Sequence, residues 1–399
     1  MLVGPPRERD GGRPATVGGV RVVVVGASGN VGTSVLRALV REPAVTSVVG
    51  VARRVPRPDG SSTVTFPHSE AEWVRVDLTD TADVVVRGLD RALAGADAVV
   101  HLAWAVQPSH DQGYLRRVNV DGSRAVIDAV VRNRVAHLVV ASSVGTYSAG
   151  PADGHRVDET WPTQGVPTSS YSVHKAAVER LLDSLESAHP GVVVTRLRPA
   201  LMFQHDAGSE IAGLFLGGPA TLALRAAGRT PGKVVGGLIR GWNSVGGPPP
   251  GPEDDGARFP FLPFPAGVRV QALHTDDAGE AFRAAIVGRH PGAFNLAPDD
   301  VLTAQDMADL LAGGRLVEVS RGALRAALAA AWRVRLAAID EGWFDLGTSI
   351  PMLDASRARS VLRWAPTRTT SQAVLEVVDA IVDRARTSTP PLNPSSRGK

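Results

Sequence analysis

The sequence predicts an α/β fold, a doubly wound parallel sheet followed by a smaller C-terminal lobe. Short β-branched runs alternate with helical patterns through the first half of the chain, as in a parallel sheet with crossover helices. Residues 21–26 (RVVVVG) form an apolar run of the kind buried on both faces. Further strands are expected at 47–52, 73–76, 98–102, 136–141 and 192–197, and six strands at this spacing suit a doubly wound sheet. The first helix is expected over 30–41, where Val31, Val35, Leu36, Leu39 and Val40 share one side. Others are expected over 82–93, 114–133 and 172–188.

Past Pro199 the pattern loosens. Residues 217–265 are dense in Gly and Pro, and the middle, about 230–260, reads as a flexible surface loop. A strand at 268–271 and helices near 277–287, 303–311, 321–337 and 371–386 follow. The organisation expected is therefore a disordered lead (1–19), a dinucleotide-binding domain (20–200), a mainly substrate-binding lobe (201–386) that returns elements to the core, and a disordered tail (387–399).

Composition narrows the function. The 399 residues carry 44% hydrophobic and 21% charged residues and a formal net charge of +3, ordinary for a globular enzyme. No basic stripe suggests a nucleic-acid partner. The absence of cysteine removes disulfides and thiolate metal sites. No pair of histidines has metal-ligand spacing, so no metal is expected. No apolar run approaches the roughly 18 residues of a membrane span, and a cytoplasmic location is the default expectation.

A glycine loop, Gly26-Ala27-Ser28-Gly29-Asn30-Val31-Gly32, joins the first strand to the first helix. Gly26 permits the tight turn, Gly29 lets backbone approach a pyrophosphate, and Gly32 allows close helix–strand packing. The helix start then faces the phosphates with free N–H groups. That context makes the fold a Rossmann-type doubly wound parallel sheet with a smaller C-terminal substrate-binding lobe. A plain βα turn in a chain of 42 glycines is the alternative. Where NAD-binding units carry a carboxylate after the second strand, this chain has Arg53 and Arg54. Guanidinium forks suit the 2′-phosphate of NADP, so the cofactor expected is NAD(P), with NADP favoured. Asp77-Leu78 follows the third strand and is either a cofactor contact or a helix cap.

Tyr171-Ser172-Val173-His174-Lys175 puts a phenol and an ammonium on one helix face. A phenol is a poor base near neutrality, and a nearby ammonium would favour its ionised form. Tyr171 is then the expected acid/base and Lys175 its partner. Three tyrosines (114, 147, 171) and three lysines (175, 233, 399) would give this spacing in roughly 2% of shuffled chains. Ser142-Ser143 ends the fifth strand, where a hydroxyl can meet substrate; Ser143 is the expected third member. Asp276-Asp277 reads as a helix start, and Trp343 and Phe344 line a pocket or fill core.

Together these segments resemble the extended short-chain dehydrogenase/reductases, the NAD-dependent epimerase/dehydratase family. The similar stretches are Gly26 to Gly32, Asp77-Leu78, His101-Leu102-Ala103, Asn119 to Ser123, Ser142-Ser143 with Tyr147, Tyr171 to Lys175, Arg198-Pro199-Ala200 and the His-x-x-Asp of residues 271–281. The resemblance implies that Leu102, Ala103, Trp104 and Asn119 border the cofactor and that Pro199, Ala200 and Leu201 approach the nicotinamide. It implies catalysis by Ser143, Tyr171 and Lys175, a small-molecule substrate and a homodimer. Asn119 could instead tie a helix to a neighbouring strand. Residues 201–205 (LMFQH) depart from the Asn and Tyr-Gly of many sugar-nucleotide members, and Trp104 replaces a small residue. The leading expectation is hydride transfer between nicotinamide and a carbonyl or secondary alcohol. Nucleotide-sugar epimerisation or dehydration with transient NAD is the alternative, and a non-catalytic dinucleotide sensor the third.

Overall fold

The computed structural model describes residues 19–56, 64–205 and 261–383. The lead before residue 19, the Gly/Pro-rich loop expected at 230–260 and the tail expected at 387–399 lie outside the described residues.

Seven parallel strands make the sheet. They are β1 (Val20–Val25), β2 (Val45–Ala52), β3 (Glu72–Arg75), β4 (Ala98–His101), β5 (His137–Ala141), β6 (Val193–Pro199) and β11 (Gly292–Leu296), in the order β11-β6-β5-β4-β1-β2-β3. Six match the expected strands. β11 was not expected as a strand; it returns from the second half of the chain to pair with β6. Shorter pairs lie outside the main sheet: β7 (Leu201–Phe203) with β10 (Ala272–His274), β8 (Leu262–Pro265) with β13 (Leu316–Val319), and β9 (Arg269–Val270) with β12 (Leu302–Thr303).

The reason β1 reads as an unbroken apolar run is visible in its neighbours. Val22 and Val24 join one core with Leu36, Leu39, Phe282 and Phe294, whereas Val23 and Val25 join a second with Leu89, Val126, Val130 and Leu182. Each strand face thus meets a helical layer. One layer holds α1 (Asn30–Val40), α6 (Thr275–Gly288) and α10 (Ser356–Val361). The other holds α2 (Ala82–Leu93), α4 (Gly122–Arg132) and α5 (Ser170–Ala188).

The helix expected over 114–133 is not continuous. Short α3 (Gln112–Arg116) passes through a π-turn at Arg117–Asp121 into α4. Asn119 sits in that π-turn, and its amide reaches across to the loop after β4. Beyond β12 come α7 (Ala304–Ala312), α8 (Arg321–Arg333), α9 (Glu341–Ser349) and α11 (Thr370–Asp383). Helix α8 ends four residues before the expected 337. No helix among the described residues is long and apolar enough to cross a membrane. No cluster of three potential metal-ligating side chains occurs among them either.

Candidate active site

A cavity of about 790 Å³ opens at the C-terminal ends of β1, β2, β4 and β5, where open α/β sheets bind ligands. Its floor is the glycine loop. Gly26 has φ +97°, and a Cβ there would stand 2.6 Å from the Ala103 nitrogen. At Gly32 a Cβ would lie 2.4 Å from the Gly26 carbonyl oxygen and 2.5 Å from that of Ala27. At Gly29 it would meet only one atom, the Gly26 oxygen at 3.5 Å, so this position is open toward the cavity. Helix α1 begins there with no side-chain cap and no acidic residue in its first turn. Its N–H groups and positive dipole end suit an anion.

Most of the expected contact residues line this one space: Gly26, Ser28, Gly29, Asn30, Val31, Gly32, Arg53, Arg54, Asp77, Leu78, Leu102, Ala103, Trp104, Ser143, Tyr171, Lys175, Ala200 and Leu201. Two do not. Pro199 is buried at the end of β6. Asn119 is 1% exposed, accepts from the Ala105 N–H at 2.7 Å and donates to the Ala105 carbonyl at 3.1 Å. It clamps the loop carrying Trp104, the structural alternative to a cofactor contact. Asp77 lines the cavity, and its Oδ1 also accepts from the N–H and hydroxyl of Thr79, closing a turn. Arg53 donates to the Tyr114 hydroxyl at 2.6 Å, bridging one rim.

Tyr171 and Lys175 share the expected helix face. Ser169 caps α5, and the Ser172 hydroxyl donates to the Gly145 carbonyl oxygen, tying the helix start to the loop after β5. Gly145 allows this approach: a Cβ there would be 2.8 Å from Cε1 of Tyr171. The Ser143 Oγ accepts from the Gly145 N–H at 3.0 Å. Burial pushes the Tyr171 phenol above its ordinary range, and the Ser143 hydroxyl draws it part of the way back.

Here the electrostatics differ from expectation. The Lys175 Nζ donates to the Ala141 carbonyl oxygen at 2.9 Å and stands 3.6 Å from the centroid of the Trp104 ring, but 5.8 Å from that of Tyr171. Desolvation pushes the ammonium down to about 7, against the pull of Glu179. A buried ammonium needs an acceptor, and the strand-end carbonyl supplies it. Among the protein's own groups, it is Ser143 rather than Lys175 that eases ionisation of the phenol.

Trp343, expected to line a pocket or fill core, lines the cavity, and four of its neighbours there were not expected. Trp343, Leu346 and Ile350, on or just after α9, and Met202 and Phe203 of β7 line the cavity beside Tyr171. Trp343 lies 5.0 Å from the Tyr171 ring and Trp104 5.9 Å from it, edge-on. Behind the site Glu179 is 2% exposed. It accepts from Ser142 at 2.6 Å, from Arg198 at 2.9 and 3.0 Å and from Arg196 at 2.9 Å. Arg198 also donates to the Tyr147 hydroxyl, which donates to Asn295 of β11 at 2.6 Å. Burial raises Glu179, and Arg198, Ser142 and Arg196 more than reverse this, leaving it at about 2.

Two of the histidines beside motifs, His101 and His274, have side-chain partners within the fold. His101 hydrogen-bonds Ser123 at 2.8 Å, and His274 caps α6 and meets Glu376 at 3.0 Å. Asp276 and Asp277 fall in the first turn of α6. Asp277 accepts from Thr367 and Arg368, and Asp276 pairs with Arg37.

Sheet order and glycine turn define a Rossmann-type α/β protein, and Ser143, Tyr171 and Lys175 line the same cleft as the turn. Residues 22–208 match the model of the NAD dependent epimerase/dehydratase family. The chain is 29% identical over 185 residues to N-acetyl-alpha-D-glucosaminyl-diphospho-ditrans,octacis-undecaprenol 4-epimerase of Escherichia coli O157:H7. That match covers 46% of this chain and 49% of the relative. It is 28% identical over 132 residues to 3beta-hydroxysteroid-dehydrogenase/decarboxylase isoform 1 of Arabidopsis thaliana, covering 33% of this chain and 29% of that protein. The chain thus spans about half the length of the first relative and less of the second. UDP-glucuronic acid 4-epimerase from Bacillus cereus, solved in complex with NAD, superposes with a TM-score of 0.58 at 16% identity, over 92% of this chain and 100% of that one. At that identity the likeness is one of fold.

Proposed function

We propose that this protein is an NAD(P)-dependent enzyme that oxidises a secondary alcohol at Tyr171, and that its reaction is epimerisation or dehydration of a nucleotide-linked sugar. The reaction type follows the family match and the epimerase relative, which favour it over the net oxidoreduction that leads from the sequence. The observation that carries the chemistry is Tyr171, flanked by Ser143 and Lys175 and opening on the same cavity as the glycine turn.

The residues present fit a dinucleotide. Gly29 leaves the backbone open toward the cavity, and α1 starts there uncapped. The glycine turn and α1 would hold the pyrophosphate, Asp77 and Leu78 the adenine end, and Lys175 the ribose hydroxyls. A bound nicotinamide would supply the hydride acceptor. The chain's own residues move the proton: Ser143 orients the substrate oxygen, and Tyr171 takes the hydroxyl proton as the C–H bond breaks. Burial raises the phenol, so once ionised it is a stronger base toward the substrate hydroxyl and holds the proton it takes until the reverse step.

Net oxidoreduction with NADP is the second reading, and Arg53 with Arg54 on the cavity rim favours it. Two guanidiniums there suit a 2′-phosphate. Incubation of the purified protein with NAD or NADP and UDP-glucose separates the readings when sugar proton spectra are followed alongside absorbance of the reduced nicotinamide. Epimerisation or dehydration changes the sugar with no lasting absorbance. Stoichiometric reduced cofactor with an oxidised sugar would overturn the epimerase/dehydratase assignment in favour of the second.

A further inference from the structure

We infer that Trp343 is a specificity-determining residue, seating the C–H face of a saturated ring that carries the reacting alcohol. This deepens the reading above and rests on it. Trp343 lies 5.0 Å from the Tyr171 ring, and Trp104 stands edge-on to the same ring at 5.9 Å. The two indoles come from distant segments, the loop after β4 and helix α9, yet both line the cavity and converge on one hydroxyl-bearing ring.

The placement of Trp343 is built. Gly342 lets α9 touch the chain just before α5, since a Cβ there would stand 2.4 Å from the Thr168 carbonyl oxygen. Asp340 caps α9 by accepting from the Trp343 N–H at 2.9 Å. Asp345 takes a two-pronged bond from Arg325 of α8. At the far end the Gly150 N–H donates to the Ser349 carbonyl at 2.8 Å, joining α9 to the strand-end loop beyond Ser143. A cap and ties to three other segments fix α9 and so place the indole beside Tyr171.

An indole face offers polarisable surface and a negative quadrupole, which the C–H bonds of a ring's flat side complement. With Leu346 and Ile350 beside it, the seat grips a ring by its face and leaves the hydroxyl to Tyr171. A pyranose and a fused alicyclic ring share that chemistry.

The test uses the full chain saturated with NAD and two probes, UDP-glucose and a 3β-hydroxysteroid, with UDP alone as the control; calorimetry reads binding. At least one ring probe is expected to bind, to lose on the order of tenfold in affinity in Trp343→Ala, and to recover most of it in Trp343→Phe. NAD affinity should be unchanged, which shows that the variant folds. Loss for UDP-glucose without loss for UDP marks the sugar as the seated ring; loss for the steroid marks a fused ring. If neither probe binds the wild type, or binding ignores Trp343→Ala, the inference falls. The broader reading fails differently: ring binding would depend on Trp343 while hydride transfer ignored Tyr171→Phe.

Discussion

The Lys175 ammonium lies 3.6 Å from the centroid of the Trp104 ring, and this pairing, with the Ala141 carbonyl, gives a buried cation its surroundings. A cation over a desolvated indole gains about 2 kcal/mol. That does not fully offset burial, and the ammonium stays pushed down to about 7 from 10.5.

A pH dependence follows. Between about 7 and 10.5 the unfolded chain holds a proton on Lys175 that the folded chain has released. Stability of the dinucleotide-free protein therefore contains a component that rises with pH across that interval. Urea unfolding at pH 7 and pH 9 should show Lys175→Met lacking this component, so that the wild type gains on the variant as pH rises. A constant difference between the two would show that the lysine titrates as it does in water.

In acid the sign is the same. Burial holds His68 and His137 at about 4 and His101 at about 3. From the ordinary 6.5 downward the unfolded chain binds protons these rings refuse, so stability falls as pH falls. Glu179, held at about 2, adds stability that is full above 4.5 and disappears toward 2. Denaturation midpoints should decline steadily from pH 6.5 to pH 4, and a flat profile would contradict the buried neutral state of these histidines.

Glu179→Gln should destabilise the fold by about 3–5 kcal/mol, because it leaves the buried Arg196 and Arg198 without their shared counter-charge. Chemical denaturation measures this directly. A loss below about 1 kcal/mol would mean that Asp183 and Glu186, the other partners of Arg196, suffice.

Two glycine substitutions separate folding from binding. Gly29→Ala meets only ordinary contact, so its melting temperature should stay near wild type while dinucleotide affinity drops about tenfold. Gly145→Ala drives a methyl toward Cε1 of Tyr171 and should cut turnover on the order of a hundredfold with dinucleotide binding retained. Thermal shift with and without NAD, beside turnover, distinguishes them. Equal effects on binding in both variants would contradict the separation.

What could be read before the structure was what short-range order encodes. β1 announces itself because both its faces are buried, and the glycine turn because three constraints fall within seven residues. Tyr171 and Lys175 are legible as one turn of one helix. Trp343 is legible only as pocket or core, because its place beside Tyr171 comes from an approach across more than 170 residues that Gly342 makes possible. β11 was missed for a similar reason: Gly292, Ala293 and Asn295 carry weak strand preference, and pairing with β6 supplies what local sequence lacks. Spacing gives Lys175 its shared face with Tyr171 and says nothing of the Ala141 carbonyl that the amine finds there. The sequence allows Asn119 two roles, and its paired bonds to Ala105 support the structural one.

The central claim is that Tyr171 carries the proton when the substrate hydroxyl is oxidised. Single-turnover hydride transfer, followed at the reduced-nicotinamide band with wild type and Tyr171→Phe at saturating NAD and substrate, tests it most directly. The account predicts a loss of at least about a hundredfold in rate, with NAD affinity kept. An unaltered rate in Tyr171→Phe would contradict it.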